Sequence, residues 1–168
     1  IVPRKIGAPG QPELAIGAVA SWGDHEFIID EQSVRSLGVS RDHIDREVRA
    51  QLEEVNRRLR AYRETTEPPD VHDRSVILID DGIATGYTIR AAAVALRNLQ
   101  AASITLAVPV APPDSLAAIR PYVDAVVCLK TPSPFLAVGY WYRDFAQVSD
   151  REVVDLLQRA RNRVQPNV

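Results

Sequence analysis

The chain has 168 residues, a formal net charge of −2 and 46% apolar residues. This length suits one ordinary domain and is too short for two. The charge gives no electrostatic case for nucleic-acid binding, and no apolar run approaches the roughly 20 residues that a membrane-spanning helix needs. A single cysteine, Cys128, excludes an internal disulfide, and the three histidines lack the spacing of a zinc site. We therefore expect one soluble cytoplasmic domain that binds neither nucleic acid nor membrane.

The N-terminal residues predict a loop followed by a β-hairpin. The glycines and prolines of "IGAPGQPE", residues 6–13, favour an irregular mobile connection over a strand or a helix. Two apolar stretches, "LAIGAVA" and "HEFIID", flank "SWGD", so residues 14–30 are typical of a hairpin. The chain has no methionine and opens on the strand-like "IVPRK". We expect that a further segment precedes Ile1.

A long amphipathic helix is predicted from Ser40 onward. Apolar side chains recur three or four residues apart and form one narrow stripe, at Ile44, Val48, Leu52, Val55, Leu59 and Tyr62. The remaining positions are rich in arginine, glutamate and aspartate, which is typical of a solvated face. The helix is expected to end before "TTEPPD", which serves as a linker.

The rest of the chain alternates strands and helices. Strands are predicted at 75–80, 103–108 and 124–130, with a helix over "GYTIRAAAVALRNLQ" and a short helix that Asp114 caps. Ala91, Ala92 and Ala93 should allow close packing on the sheet. A last helix begins at the "SDRE" capping box at Ser149, and its predicted inner face consists of Val153, Leu156, Leu157 and Ala160. The order predicts an α/β domain with a mainly parallel sheet flanked by helices, an N-terminal hairpin and an inserted long helix.

The stretch "VILIDDGIATGYT", residues 76–88, carries the chemistry. It predicts a buried strand that ends in Asp80 and Asp81, a short turn, and a helix that starts near Tyr87. A helix start with backbone N–H groups and the hydroxyls of Thr85 and Thr88 favours a phosphate monoester. The two carboxylates would repel that phosphate, so they should bind sugar hydroxyls or Mg²⁺ beside it. A ribose 5-phosphate unit would suit both parts of the stretch, with its phosphate at the helix start and its hydroxyls at the acidic pair.

These thirteen residues resemble the phosphoribosyl diphosphate (PRPP) binding motif of type I phosphoribosyltransferases, which join a hydrophobic strand, an acidic pair and Thr-Gly-x-Thr. The resemblance implies that Asp80 and Asp81 hold the ribose hydroxyls, directly or through Mg²⁺. It also implies that the loop and turn hold the 5-phosphate, through Gly82, Ala84, Thr85, Gly86, Tyr87 and Thr88. Ala84 stands where hypoxanthine-guanine enzymes have an aspartate, which excludes a general base there and is closer to adenine enzymes.

Two further segments extend the resemblance. "PRKIGAPGQPELAIG" is similar to the strand and flexible loop of adenine-type members, so Arg4 and Lys5 should approach the pyrophosphate beneath a closing lid. "PSPFLAVGYWYRDF" resembles a base-binding segment, in which Phe135 would stack on a flat ring and Asp144 would lie near the pyrophosphate. "VPVAPP" lacks the lysine that reads a 6-oxo group in hypoxanthine-guanine enzymes.

The resemblance implies a Mg²⁺-dependent enzyme that transfers 5-phosphoribosyl from PRPP to a small nucleobase-like acceptor, in a homo-oligomer. The family's pyrophosphate loop and first strand would precede Ile1, or come from a partner chain. A regulatory or sensing module that binds PRPP or a nucleotide without turnover is the alternative. A receiver-like phosphoacceptor domain also has an acidic pair at a strand end, but it gives no reason for Thr-Gly-x-Thr.

Overall fold

The computed structural model describes residues 1–22 and 27–164, and its strands form two three-stranded sheets. An antiparallel sheet contains β1 (Arg4–Ala8), β2 (Gln11–Val19) and β3 (Phe27–Ile29), in that order. A parallel sheet contains β4 (Ser75–Ile79), β5 (Ser103–Val110) and β6 (Ala125–Lys130), also in chain order. The α/β class and the N-terminal antiparallel hairpin are therefore confirmed.

The helices are α1 (Glu31–Leu37), α2 (Arg41–Arg63), α3 (Tyr87–Asn98), α4 (Pro113–Ile119) and α5 (Asp150–Val164), with short 3₁₀ turns at Arg120–Tyr122 and Val138–Trp141. Ser40 caps α2, since its side chain accepts a hydrogen bond from His43 N. The capping box of α5 is confirmed, because Ser149 N–H donates to the Glu152 carboxylate and Glu152 N–H donates to Ser149 Oγ.

The prediction of a loop over residues 6–13 was wrong. β1 and β2 pair from Arg4 opposite Val19 to Ala8 opposite Gln11, so only Pro9 and Gly10 turn the chain. Gly10 has φ +71°, a conformation that glycine adopts without strain. Ile6 and Ala8 are buried in a cluster with Val55 and Leu59 of α2. This packing on α2 explains a strand that local composition did not favour. The predicted turn at Gly23 and Asp24 lies outside the described residues.

Three other local predictions needed correction. Helix α4 starts at Pro113 with Pro112 as its N-cap, so Asp114 lies in the first turn and does not cap it. Helix α1, next to the hairpin, was not predicted. The inner face predicted for α5 is largely exposed, since Leu156 is 57% exposed, although Val153 is half-buried.

The parallel sheet is covered on one face. Helices α3 and α4 pack on the side chains of Leu78, Leu106, Val108 and Val126. On the opposite face Ile77 is 65% exposed and Ile79 is 73% exposed, so the predicted burial of this strand was wrong for that face. Within residues 1–22 and 27–164, β4 pairs only with β5. That the family's first strand lies outside residues 1–168 stays a prediction.

The antiparallel sheet packs on α3 through small side chains. Ala18 of β2 and Ala20, just beyond the end of that strand, pack against Ala91 and Ala95 of α3. The predicted close packing of the alanine run is thus confirmed, with Ala91, Ala92 and Ala93 at most 1% exposed. This interface fixes the start of α3 relative to the antiparallel sheet. No helix in the described part of the chain is long and apolar enough to cross a membrane.

Candidate active site

The acidic pair lies at the carboxyl end of the parallel sheet, where ligands of α/β folds bind. β4 ends at Ile79, and Asp80 and Asp81 follow it directly. Asp80 Oδ1 accepts a hydrogen bond of 3.0 Å from Asp81 N. Burial raises the pKa of the Asp80 carboxyl above its usual range, and the charge of Asp81 adds to the rise. Burial likewise raises the pKa of Asp81.

The loop after the acidic pair is held by hydrogen bonds that take up its carbonyl oxygens. Tyr142 Oη donates to Asp81 O at 2.6 Å, and Ser115 Oγ donates to Ala84 O at 2.5 Å. The N–H of Ile83 donates to Val110 O at the end of β5. The loop is therefore anchored to the end of β5, to α4 and to Tyr142, and these bonds do not use the N–H groups of residues 85–88.

The turn at residues 85–88 presents those N–H groups at the start of α3. Gly86 has φ +79° and is the N-cap residue, but no side chain among the described residues caps this helix. The first backbone bond of the helix runs from Arg90 N to Gly86 O. The N–H groups of Thr85, Gly86, Tyr87 and Thr88 find no acceptor in residues 1–22 and 27–164. A helix start with unpaired donors and a positive dipole end favours an anion.

Two glycines in this loop have no room for a larger residue. A Cβ on Gly82 would lie 2.7 Å from Val138 Cγ1, and a Cβ on Gly86 would lie 2.8 Å from Ile119 Cδ1. Close packing at both positions lets the backbone itself form the wall of the site.

One cleft of about 240 Å³ brings most of the predicted residues together. It is lined by Lys5, Ala15, Val138 and every residue of 80–89, which includes Asp80, Asp81, Gly82, Ala84, Thr85, Gly86, Tyr87 and Thr88. Sequence reasoning missed Ala15 and Val138, which are far from the motif in sequence and carry no chemical signature. It also missed Tyr142 and Ser115, whose hydrogen bonds to loop carbonyls only the fold reveals.

Three predicted residues lie elsewhere. Arg4 points to α2, where its Nε donates to Gln51 Oε1 at 3.1 Å. Its neighbour Lys5 does line the cleft, at the rim, and its Nζ lies 2.5 Å from a carboxylate oxygen of Glu13. Phe135 is half-buried and does not line the cleft. Asp144 is exposed, and its Oδ1 accepts a hydrogen bond from Ala146 N. Roles for Arg4, Phe135 and Asp144 stay predictions.

The donor set fits a magnesium ion that shares its ligands with a substrate. The described residues contain no group of three or more acidic, histidine or cysteine side chains that could hold a metal alone. Mg²⁺, however, is often bound through one or two carboxylates, with phosphate oxygens and water completing its shell. The raised pKa of both carboxyls also means that a nearby cation would stabilise their ionised forms.

Comparisons with known proteins agree with this geometry. A sequence model described as "Phosphoribosyl transferase domain" matches residues 31–142. "Putative phosphoribosyl transferase Rv0571c" of Mycobacterium tuberculosis H37Rv is 42% identical over 160 residues, which cover 95% of this chain and 36% of that protein. Uracil phosphoribosyltransferase of Lactobacillus gasseri is 33% identical over 87 residues, covering 50% of this chain and 41% of that enzyme.

A solved structure shows the same architecture. The crystal structure of TT1426 from Thermus thermophilus is similar with a TM-score of 0.70 and 33% identity, over 94% of this chain and 74% of that one. The present chain spans about a third of the length of the mycobacterial relatives, 36% of each. The matched family model covers two thirds of the chain and includes the acidic pair, the turn and the aromatic segment as far as Tyr142. The chain belongs to the phosphoribosyl transferase domain family.

Proposed function

We propose that this protein transfers the 5-phosphoribosyl group of PRPP to a nucleobase-like acceptor, with Mg²⁺ as cofactor. The observation that carries the proposal is a single cleft in which unpaired backbone donors at residues 85–88 lie next to Asp80 and Asp81. A ligand with an anion at one end and hydroxyls at the other would complement both halves. Family membership supports the transferase chemistry.

Each part of the cleft has a role in this reaction. The N–H groups and hydroxyls of the turn bind the 5-phosphate, and Asp80 and Asp81 orient the ribose hydroxyls. Lys5, at the rim, neutralises charge on the leaving pyrophosphate. Mg²⁺ held by the acidic pair would supply further charge neutralisation on the pyrophosphate. Positioning and electrostatic stabilisation provide the catalysis, because the cleft surrounds the ligand with backbone donors, two carboxylates and one ammonium group.

A second pocket of about 240 Å³ supports an aromatic acceptor. It is lined by Pro109, Val110, Leu129, Lys130, Trp141 and Tyr142. Tyr142 joins this pocket to the first cleft, since its Oη donates to Asp81 O. Trp141 is 43% exposed, and its indole ring offers a flat apolar wall to the pocket. The Lys130 ammonium can donate a hydrogen bond to a carbonyl oxygen on the ring of the acceptor. A relative named uracil phosphoribosyltransferase makes a nucleobase the natural candidate.

Trp141→Ala is therefore expected to raise the KM for the acceptor about tenfold and leave the KM for PRPP unchanged, since aromatic stacking contributes about 1–3 kcal/mol per base. Steady-state kinetics with a panel of nucleobases measure both constants. Tyr140→Ala is the matched control, because Tyr140 is 75% exposed and does not line the pocket. Equal KM values for the acceptor in the two variants would place the acceptor elsewhere.

A PRPP-binding regulatory module is the second candidate. It is favoured by the position of Arg4, whose side chain bonds to Gln51. Lys5 is then the one cation among the described residues that line the cleft, which leaves less positive charge to stabilise a leaving pyrophosphate. Both candidates require PRPP binding, but only the enzyme releases pyrophosphate when an acceptor is added. A coupled pyrophosphate assay on the full protein with Mg²⁺ separates them.

Thr85→Ala with Thr88→Ala is expected to weaken PRPP binding about tenfold, because hydrogen bonds to a charged group contribute roughly 1.5–3 kcal/mol each and water replaces part of that. Isothermal titration calorimetry measures the dissociation constant. Thr131→Ala is the control, since Thr131 is exposed and lies outside the cleft. Unchanged affinity in the double variant would remove the phosphate site from the turn.

A further inference from the structure

The side chain of Tyr87 ties the phosphate turn to a distant part of the chain. Tyr87 is the first residue of α3 and follows Gly86 in the turn. Its Oη donates a hydrogen bond of 2.6 Å to Asp30 Oδ2, across 57 residues of sequence. Burial raises the pKa of Tyr87 to about 12, and the bond to Asp30 contributes to the rise, so the hydroxyl stays a donor at neutral pH.

Asp30 is itself held firmly by four other contacts. Its N–H donates to Ile16 O at 2.8 Å, which fixes its backbone to β2. Its side chain caps α1, accepting from Gln32 N at 3.0 Å and from Ser33 Oγ at 2.6 Å. The N–H of Val34 donates to its carbonyl oxygen. The bond from Ser33, with that from Tyr87, lowers the pKa of Asp30 to about 2, so the acceptor is ionised across the physiological range.

The Tyr87 ring adds a packing contact at the same place. It lies against the alanine interface between β2 and α3, together with Ile28 of β3. The guanidinium of Arg90, one turn further along α3, lies 5.8 Å from the ring centroid. A phenylalanine could fill this volume equally well, so packing alone does not require the hydroxyl. The hydroxyl adds one charge-assisted hydrogen bond, to the antiparallel sheet.

We propose that Asp30 is a positioning residue that acts through Tyr87 and holds the phosphate turn in register with the antiparallel sheet that carries Lys5. Lys5 of β1 pairs with Ala18 of β2, and Gly17 of β2 pairs with Ile29, the residue before Asp30. The path from Lys5 to the turn thus runs through two strand pairings and one side-chain hydrogen bond. It sets the separation between the cation at the rim and the donors at residues 85–88. The inference rests on the proposed binding of PRPP in this cleft.

Asp30→Ser separates the tether from helix capping. Serine is as good an N-cap as aspartate, so it keeps the bond from Gln32 N, but its shorter side chain gives up the bonds from Tyr87 Oη and Ser33 Oγ. Tyr87→Phe removes the same bond from the other side and keeps the ring. Ser36→Ala is the control, because the Ser36 hydroxyl donates to Ser33 O within α1 and lies outside the cleft.

The experiment measures the dissociation constant of PRPP by calorimetry, and the thermal midpoint, for wild type, both single variants, the double variant and the control. We expect each single variant to weaken PRPP binding about tenfold, because the bond removed is charge-assisted and a turn released from the antiparallel sheet no longer holds its N–H donors at the anion. The double variant should bind as weakly as either single variant and no weaker. Ser36→Ala should bind as wild type does.

Three results would overturn the inference. Wild-type affinity in Tyr87→Phe would show that the hydroxyl does not position the turn. Additive losses in the double variant would show that the two residues act independently. Absence of PRPP binding by the wild-type protein would overturn the proposed function and this inference together, whereas the first two results leave the proposed function intact.

Discussion

Asp80→Asn with Asp81→Asn is expected to reduce Mg²⁺-dependent PRPP binding by at least about 100-fold, because both groups that would hold the metal and the ribose hydroxyls lose their charge. The fold should survive. At pH 7 the variant should be as stable as the wild type or more stable, since neutral amides remove two adjacent charges that burial disfavours. Calorimetry with and without Mg²⁺ gives the affinity, and chemical denaturation gives the free energy of unfolding.

The pH dependence of that comparison has a definite sign. Burial raises the folded-state pKa of Asp80 and of Asp81 above the unfolded value, so ionisation destabilises the folded state. This destabilisation is fully present above the raised pKa. It disappears as the pH falls below the unfolded value of about 3.9, where both states are protonated. The stability of wild type and variant should therefore converge on acidification.

A marked loss of stability in this variant at pH 7 would show that the pair is structural and would contradict the proposal. Asp73→Asn is a matched control for the substitution itself, because Asp73 is exposed and lies outside the cleft. It should leave PRPP affinity unchanged.

Gly86→Ala is expected to lower the free energy of unfolding by about 2–3 kcal/mol and to weaken PRPP binding at least about tenfold. The φ of +79° strains any residue with a Cβ, and that Cβ would lie 2.8 Å from Ile119 Cδ1. Relief of this contact must move the turn, which displaces the N–H donors. Chemical denaturation and calorimetry with PRPP measure the two effects.

Gly38→Ala isolates the conformational part of that loss. Gly38 ends α1 with φ +63°, but a Cβ there would meet no atom within 4 Å. It should cost about 1 kcal/mol, the strain of the left-handed conformation alone, with unchanged PRPP affinity. Equal losses of stability in the two variants would show that the Ile119 contact is unimportant.

The sequence by itself determined the acidic pair, the turn and the α/β alternation. Asp80 and Asp81 follow a run of apolar β-branched residues, and Thr-Gly-x-Thr begins the next helix, so local pattern specifies strand, loop and helix together. The start of α2 at Ser40 and the capping box at Ser149 could be predicted for the same reason, since a helix cap depends on residues within one helical turn. The helical spacing of Ile44, Val48, Val55 and Leu59 likewise identified buried positions correctly.

Only the tertiary structure decided how distant residues meet. The strands of residues 4–19 form despite glycine and proline, because Ile6 and Ala8 gain burial against α2. The bonds from Tyr142 and Ser115 to loop carbonyls, and from Tyr87 to Asp30, join residues 31 to 61 positions apart. The exposure of Ile77 and Ile79 depends on what packs against the sheet, because β4 has apolar side chains on both of its faces and its sequence does not say which face is covered. Local physics sets elements and caps, whereas burial and long-range hydrogen bonds arise only once the chain has folded.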